Sequence, residues 1–359
     1  MRVATERGLG GEVAVFSIFN TQFLMPIQNL GQKLLLSLLL GVAVIAAFTL
    51  YTDLQSLHAT LLTFQWAWMI PVIGLIGLNL ALRYVKWDYY LRLLEIRGVT
   101  RSDSIAIFLA NYLLILTPGK VGALLKSYFL KQTNGIPVAR TMPIVVAERL
   151  TDGLGMVLMT ALAMVAYPAA LPAVIVVLIG MGAVVVVAQN RPLALRLMAL
   201  AERFTLTKRF AATLHTLYDS TNELLKIRPL IWATLLGTAA RATEGVALYC
   251  VLMGLGVPNT PDVLVNTLFI TALSNIVGVL VMMPGGLGGT EGSMAGLLSQ
   301  FMGLAPAPTT AATLLARLAS FWLPALLGGL AMFAKRDVFF KPDEEEAAYA
   351  LESQESIGY

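Results

Sequence analysis

Asn111-Tyr-Leu-Leu-Ile-Leu-Thr-Pro-Gly-Lys-Val-Gly-Ala-Leu-Leu-Lys126 is an apolar run broken in its middle by Pro118-Gly119-Lys120-Val121-Gly122. Proline removes a backbone donor and glycine relaxes the helix, so the stretch reads as two half-helices meeting at a turn, not as one membrane span. The same punctuation returns at Pro284-Gly285-Gly286-Leu287-Gly288, after an apolar run carrying Asn275 and before a short apolar segment. Pro-Gly-x-x-Gly thus occurs once in each half of the chain.

Composition gives the class. Hydrophobic residues make up 57% and charged residues 13%, with a mean hydropathy of +0.76; soluble domains are nearer half apolar and a quarter charged. The chain reads as an all-α polytopic membrane protein. Its net charge of +4 does not imply nucleic acid, because the cations sit in short loops between apolar spans, the positive-inside pattern. Cys250 is the single cysteine and His58 and His215 the two histidines, so neither a disulfide framework nor a metal site is expected, and no cofactor is implied.

Residues 1–33 read as a cytoplasmic lead-in and Leu34 to Leu50 as the first span. The connection from Tyr51 to Thr60 lacks Lys and Arg, whereas Arg83, Lys86, Arg92, Arg97 and Arg101 follow a second span from Leu61 to Leu82. That contrast places the N-terminus and the 83–102 segment inside. The broken segment at about 104–130 leaves from that side, and Lys126, Lys131 and Arg140 return it there, so it is expected to be a re-entrant hairpin. Spans at 141–167 and 171–188 follow, with Pro168 and Pro172 at the outer turn. The link 189–229 is rich in cations and reads as cytoplasmic and amphipathic, on anionic headgroups, or equally as a solvated loop helix. A fifth span at about 230–254 leads outside, the second broken segment at about 263–303 enters from there, and a last span at about 309–333 delivers Lys335 and Arg336 inside. The membrane domain is thus expected over 34–335, as six full spans and two opposed re-entrant hairpins, the arrangement of inverted repeats that meet near the midplane. The acidic tail 336–359 is expected to be flexible and cytoplasmic.

Non-helical backbone in a bilayer leaves polar groups without partners, so such breaks persist where they are buried in protein or line a wet cavity. The first break presents a helix N-terminus after Gly119, with Lys120 and Lys126 on it, which suits an anion such as a phosphate. Charges inside apolar spans form a second constellation, each costing roughly 2.5–3.5 kcal/mol at depth unless paired or lining a path. Glu148-Arg149-x-x-Asp152 opens the third span; Glu148 and Asp152 share a helix face, and Arg149 is within reach of Asp152. Arg241 and Glu244 lie near the middle of the fifth span, Glu291 in the second broken segment and Arg317 in the last span.

Three segments together resemble the signatures of a known family: Asn111 with Pro118-Gly119-x-x-Gly122, then Glu148-Arg149-x-x-Asp152, then Pro284-Gly285-Gly286-Leu287-Gly288-x-x-Glu291. They are similar to those of the flippase-like family named for the transmembrane region of lysylphosphatidylglycerol synthase, over about residues 30–335. The resemblance implies an integral membrane protein that moves or modifies lipids, including aminoacylated phosphatidylglycerol and polyprenyl-linked glycans. The family often carries arginine after the first Pro-Gly and an acidic residue after its second glycine, where this chain has Lys120 and Ala123. Lysine keeps the charge and loses the bidentate phosphate fork. The soluble aminoacyl-transferase domain of the synthases has no counterpart in the short tail, so aminoacyl transfer is not expected.

The leading expectation is a lipid translocator of the cell membrane, with both termini cytoplasmic. Its headgroup would be held by Lys120, Arg149 and Arg241 in a cavity between the hairpins, with Glu148, Asp152 and Glu291 balancing those cations or relaying protons. Asn111, Pro118, Gly119, Gly122, Lys126, Glu244, Asn275, Pro284, Gly285, Gly288 and Arg317 complete the expected substrate-binding set; no catalytic residue is assigned. No Gly-x-x-x-x-Gly-Lys-Ser/Thr loop occurs, leaving an ion gradient or equilibration as driving force. The alternative is an intramembrane lipid-modifying enzyme, with Glu148 and Asp152 as its carboxylate pair, or a non-catalytic subunit beside a glycosyltransferase or other lipid-modifying enzyme. An oligomer is compatible with either.

Overall fold

The computed structural model describes residues 52–116, 122–164, 171–201, 223–281 and 283–339, together with helical positions between 32 and 46. The lead-in 1–31, Pro118, Gly119, Lys120, the outer turn at Pro168, much of the cationic link and the tail from 340 onward lie outside the described residues. Among the described residues every regular element is helical and there is no strand, as the composition requires.

The first described helices are α1, Leu54–Thr63, whose first turn is capped by Asp53 accepting from Ser56, and α2, Met69–Leu93, which a 3-10 turn at Trp66–Trp68 precedes. The halves of the first broken segment are α3, Arg101–Leu114, and α4, Gly122–Asn134. There follow α5, Val138–Met164, α6, Leu171–Gln189, α7, Arg191–Ala201, and α8, Ile227–Gly254. The second broken segment gives α9, Pro261–Leu280, with Pro261 in its first turn and Thr260 as its cap, a 3-10 turn at Pro284–Gly286, and α10, Gly289–Met302. The chain then runs through α11, Pro306–Arg317, a π-helical turn at Leu318–Trp322, α12, Leu323–Ala334, and the short α13, Arg336–Phe339. The wide turn stands just before Pro324, where the helix must accommodate a missing N–H and the proline ring.

Four of the described helical stretches are long and apolar enough to cross a membrane: Trp66–Leu93, Ile227–Gly254, Pro261–Leu280 and Pro306–Ala334. Large apolar side chains on them, among them Ile70, Ile231, Leu280, Leu326 and Phe333, are exposed, a surface suited to lipid and not to water. Both boundaries of the second span differ from the hydropathy reading: Leu61 falls inside α1, and α2 starts only at Met69, after the turn at Trp66–Trp68. The second span does not stop at Leu82 but continues as α2 to Leu93, with Lys86 buried and Arg83 mostly so. These two cations are therefore part of the bundle interior, not of a loop. The helix carries them inward because carboxylates on neighbouring helices receive them.

Helices α2 and α8 lie antiparallel. The Gln65 N–H donates to the Gly254 carbonyl at one end, and Lys86 faces Gly237 at the other. An apolar core around Phe64, Val72, Ile76, Leu248, Leu252 and Phe269 fills one end of the bundle. A second, around Trp87, Tyr90, Ile107, Leu130, Ile144 and Leu230, fills the other. Along α2 the stretch between them runs from Ile76 to Trp87, about 16 Å of helix, and it holds Asn79, Arg83 and Lys86.

Helices α3 and α12 are also antiparallel. Lys335 pairs with Asp103 at 3.0 Å, and Gly328 lies on the backbone of Leu109, where an added Cβ would stand 2.5 Å from the Leu109 carbonyl oxygen. Ala325 packs in one cluster with Leu116 and Leu287. Glycine at 328 is what allows these two helices to touch along their backbones.

Candidate functional site

The layer between the two apolar cores is built by side chains from four helices. Asn79, Arg83, Lys86 and Tyr90 are spaced by four, three and four residues and so share one face of α2. Asp152 on α5 accepts from Arg83 Nη1 at 2.9 Å and from Lys86 Nζ. Lys86 also donates to the Thr151 hydroxyl at 3.2 Å, which Tyr90 meets at 3.3 Å. On α8, Glu244 takes Arg241 Nη1 at 2.9 and 3.2 Å and lies 3.5 Å from Arg83 Nη2. Asn79 joins the two halves: its oxygen accepts from Arg83 Nε at 3.0 Å, and its amide donates to Glu244 at 3.1 Å and to the Ala240 carbonyl. Asn275 of α9 reaches Glu244 at 3.4 Å.

Backbone geometry makes room for this layer. A Cβ at Gly237 would stand 3.3 Å from both Asp152 Oδ1 and Lys86 Nζ, and one at Gly155 2.9 Å from the Thr238 nitrogen. Two glycines thus let α8 pass the charged pair and press against α5. Arg241 lies near the middle of the 28-residue α8, about 20 Å from either end at 1.5 Å per residue.

A second ion pair lies beside the network. Lys126 of α4 holds Glu148 at 3.0 Å, with its ammonium 4.6 Å from the Trp87 ring centre and 5.4 Å from that of Phe108. The aromatic faces stabilise the buried cation in addition to the carboxylate.

A third constellation forms at the second break. Gly285, Gly286 and Gly288 have φ of 60°, 69° and 80°, in the left-handed region where a side chain is strained. Glu291 caps α10 by accepting from the Gly288 N–H at 2.7 Å, and its other oxygen takes Arg317 Nε at 2.5 Å. Arg317 also donates to the Gly285 carbonyl at 3.3 Å and lies 4.3 Å over the Phe321 ring centre. The Gly285 N–H donates in turn to the Ile115 carbonyl at 3.2 Å, just ahead of the first break, and Leu116 and Leu287 share one apolar cluster. The second turn therefore touches the end of α3.

Of the residues singled out by sequence, Lys126, Glu148, Asp152, Arg241, Glu244 and Asn275 lie in or beside the central layer, while Pro284, Gly285, Gly288, Glu291 and Arg317 form the second turn and its clamp. Asn111 is buried in α3, and its Oδ1 has no partner among the described residues. Of Gly122 only the helical backbone is described, and Pro118, Gly119 and Lys120 lie outside the described residues. Arg149 does not make the expected contact: its side chain is exposed, and Asp152 is engaged by Arg83 and Lys86 across the helix interface. Asn79, Arg83 and Lys86 were missed by sequence, and their common helix face was the signal that could have found them.

Residues 35–328 match the family described as Lysylphosphatidylglycerol synthase TM region. A curated relative, a UPF0104 membrane protein of Methanothermobacter thermautotrophicus, is 37% identical over 87 residues, which are 24% of this chain and 25% of that protein. The chain thus spans about a quarter of the length of the relative it matches.

Proposed function

This chain belongs to the Lysylphosphatidylglycerol synthase TM region family, and we propose that it is a lipid translocator, flippase-like or scramblase-like. Its substrate is an anionic or phosphate-bearing lipid: a phospholipid, an aminoacylated phospholipid or a polyprenyl-phosphate-linked lipid. The headgroup crosses through the charged layer while the acyl or prenyl chains stay in the bilayer. The observation that carries this reading is a layer of guanidinium, ammonium and carboxylate groups held inside the helix bundle between two apolar cores. Charges there are costly and mark pathways more often than they stabilise a fold.

The membrane domain at 34–335 is read as six spans and two opposed hairpins in the cell membrane, both termini cytoplasmic. Two observations support this. Helices α3 and α4 have 14 and 13 residues, about 20 Å each, short of the roughly 30 Å hydrocarbon core. The Asp103–Lys335 pair sets the start of the first broken segment level with the end of the final span. In the second broken segment the 14-residue α10 is likewise short, whereas the 20-residue α9 is long enough to cross by itself. An ion gradient or simple equilibration drives transfer, and a glycosyltransferase or other lipid-modifying enzyme is the expected partner.

The test is fluorescent-lipid transfer in proteoliposomes with phosphatidylglycerol, its aminoacylated form and a polyprenyl phosphate, using wild type, Arg149→Ala and Arg241→Gln. Transfer of one lipid class that Arg241→Gln loses is the expected result. Absence of transfer by folded wild type overturns the reading in favour of an intramembrane enzyme or non-catalytic subunit, and transfer unchanged by both variants rejects the site.

A further inference from the structure

Among the described residues, the connected part of the charged layer is not balanced. Arg83, Lys86 and Arg241 face Asp152 and Glu244 through direct contacts, three cations to two carboxylates, an excess of one positive charge. The neighbouring Lys126–Glu148 pair is neutral by itself, and Arg149 lies exposed, outside these contacts. Nor are the donors used up. Arg241 bonds Glu244 through Nη1 alone, and its Nε is buried with no partner among the described residues.

Access differs within the cluster. The side chains of Arg83, Asp152, Glu244 and Arg241 keep 12–15% of their surface exposed, whereas Lys86 keeps 3%. The guanidiniums therefore form a reachable rim and the ammonium a closed back wall. An uncompensated cation at membrane depth is unfavourable until an anion joins it. A guanidinium with open donors suits phosphate oxygens.

We propose that Arg83, Lys86 and Arg241 form a cradle for a single negative charge, that of a phosphodiester headgroup without an ammonium of its own. Resting on the translocator reading, this names its substrate class and adds Arg83 and Lys86 to its site. A monoanionic diester brings the cradle to neutrality. A zwitterionic diester, including one aminoacylated by a neutral amino acid, contributes no net charge and leaves the excess in place, and a lysyl-bearing headgroup, with two ammoniums, adds to it. Arg241 is the direct donor, through the Nη2 that Glu244 does not engage. Arg83, tied to Asn79, Asp152 and Glu244, is a positioning residue that holds Glu244 and so orients Arg241.

The experiment is thermal unfolding of the purified full-length protein in neutral detergent, followed by tryptophan fluorescence. The probes are short-chain phosphatidylglycerol and phosphatidylcholine, with glycerophosphoglycerol and glycerophosphocholine as their soluble headgroups. Half-maximal stabilisation should need roughly ten- to hundredfold less phosphatidylglycerol than phosphatidylcholine, the worth of one charge-assisted hydrogen bond. The soluble diesters should follow the same order. Arg241→Gln, which leaves two cations facing two carboxylates, should erase the preference, Arg241→Lys should keep it, and Glu244→Gln should enlarge it. Equal stabilisation by the two lipids, a preference surviving in Arg241→Gln, or one shrinking in Glu244→Gln overturns the cradle. So does discrimination among intact lipids that the soluble diesters do not repeat, because that reports the charge of the micelle surface. Transfer in proteoliposomes without this preference removes the cradle and leaves the translocator; the preference without transfer does the reverse.

Discussion

Asp152→Asn isolates what the central layer contributes. The carboxylate receives Arg83 Nη1 at 2.9 Å and Lys86 Nζ, and Lys86 is 2% exposed with Thr151 as its other hydrogen-bond partner. Asparagine keeps the shape and one acceptor but removes the charge, so Lys86 becomes a buried ammonium facing a neutral amide. Removing one partner of a buried pair costs about 3–5 kcal/mol. At about 2 °C per kcal/mol for a chain of this length, the apparent unfolding midpoint should fall by roughly 6–10 °C. The second half of the prediction is recovery. In Asp152→Asn combined with Lys86→Met the unpaired charge is gone and the methionine stem fills the same space, so most of the loss should return, with a coupling of about 2 kcal/mol or more in a double-mutant cycle. Tryptophan fluorescence of the four proteins in one detergent gives the cycle. A single variant that unfolds with wild type, or a double variant no more stable than the single, would refute the assignment of Asp152 as the counter-ion of Lys86.

Gly328→Leu should separate α3 from α12, because even a Cβ there stands 2.5 Å from the Leu109 carbonyl oxygen and 3.0 Å from the Leu113 nitrogen. Expression in a folded, monodisperse form should drop, while Gly329→Leu, whose Cβ would meet only the Leu113 side chain at 3.8 Å, should be tolerated. Glu291→Gln should cost about 2–4 kcal/mol by leaving Arg317 buried against a neutral partner. It should also expose the Pro284–Gly286 turn, read as faster amide exchange at Gly285 and Gly288. The carboxyl of Asp103 is held below the usual carboxylate range, first by the Thr100 hydroxyl and then by Lys335. Its contribution is therefore complete above about pH 4, the unfolded value, and is lost as pH falls through the lower folded value. The gap in unfolding midpoint between wild type and Asp103→Asn, worth at most about 1 kcal/mol for so exposed a pair, should be constant near neutrality and close in acid. A gap that widens in acid would contradict the sign.

Proline and glycine made both breaks readable, because their backbone chemistry acts locally and needs no tertiary context. The Arg241–Glu244 pair was equally legible, since three residues on a helix bring two side chains together. Arg83 and Lys86 were not. A hydropathy window ends a span at its first cation, and the counter-ions that draw these two inward lie on α5 and α8, far along the chain. Reading the face instead of the average would have linked Asn79, Arg83, Lys86 and Tyr90 to the bundle interior. Arg149 failed for the complementary reason. Its distance from Asp152 along α5 permits a pair, but the packing of α5 on α2 gives Asp152 two partners of its own and leaves Arg149 on the outer side. That the second turn touches the end of α3, through Gly285 and Ile115, is a contact between distant parts of the chain that no local pattern encodes.

The cross-helix pairing of Arg83 also imposes an order on biogenesis. Its partner Asp152 lies 69 positions further along the chain, and Asn79 and Glu244, which complete its surroundings, are 165 apart. At roughly 5–20 residues per second, several seconds pass between synthesis of α2 and arrival of the first carboxylate that can neutralise it. During that interval α2 is a long helix with two bare cations and cannot lie at its final depth without a large penalty. It must wait with Arg83 and Lys86 reaching toward a headgroup region and move inward when α5 and then α8 dock. The charged layer is thus also a checkpoint of assembly: a chain truncated before α8 would leave α2 shallow, measurable by the aqueous accessibility of a cysteine placed at position 79.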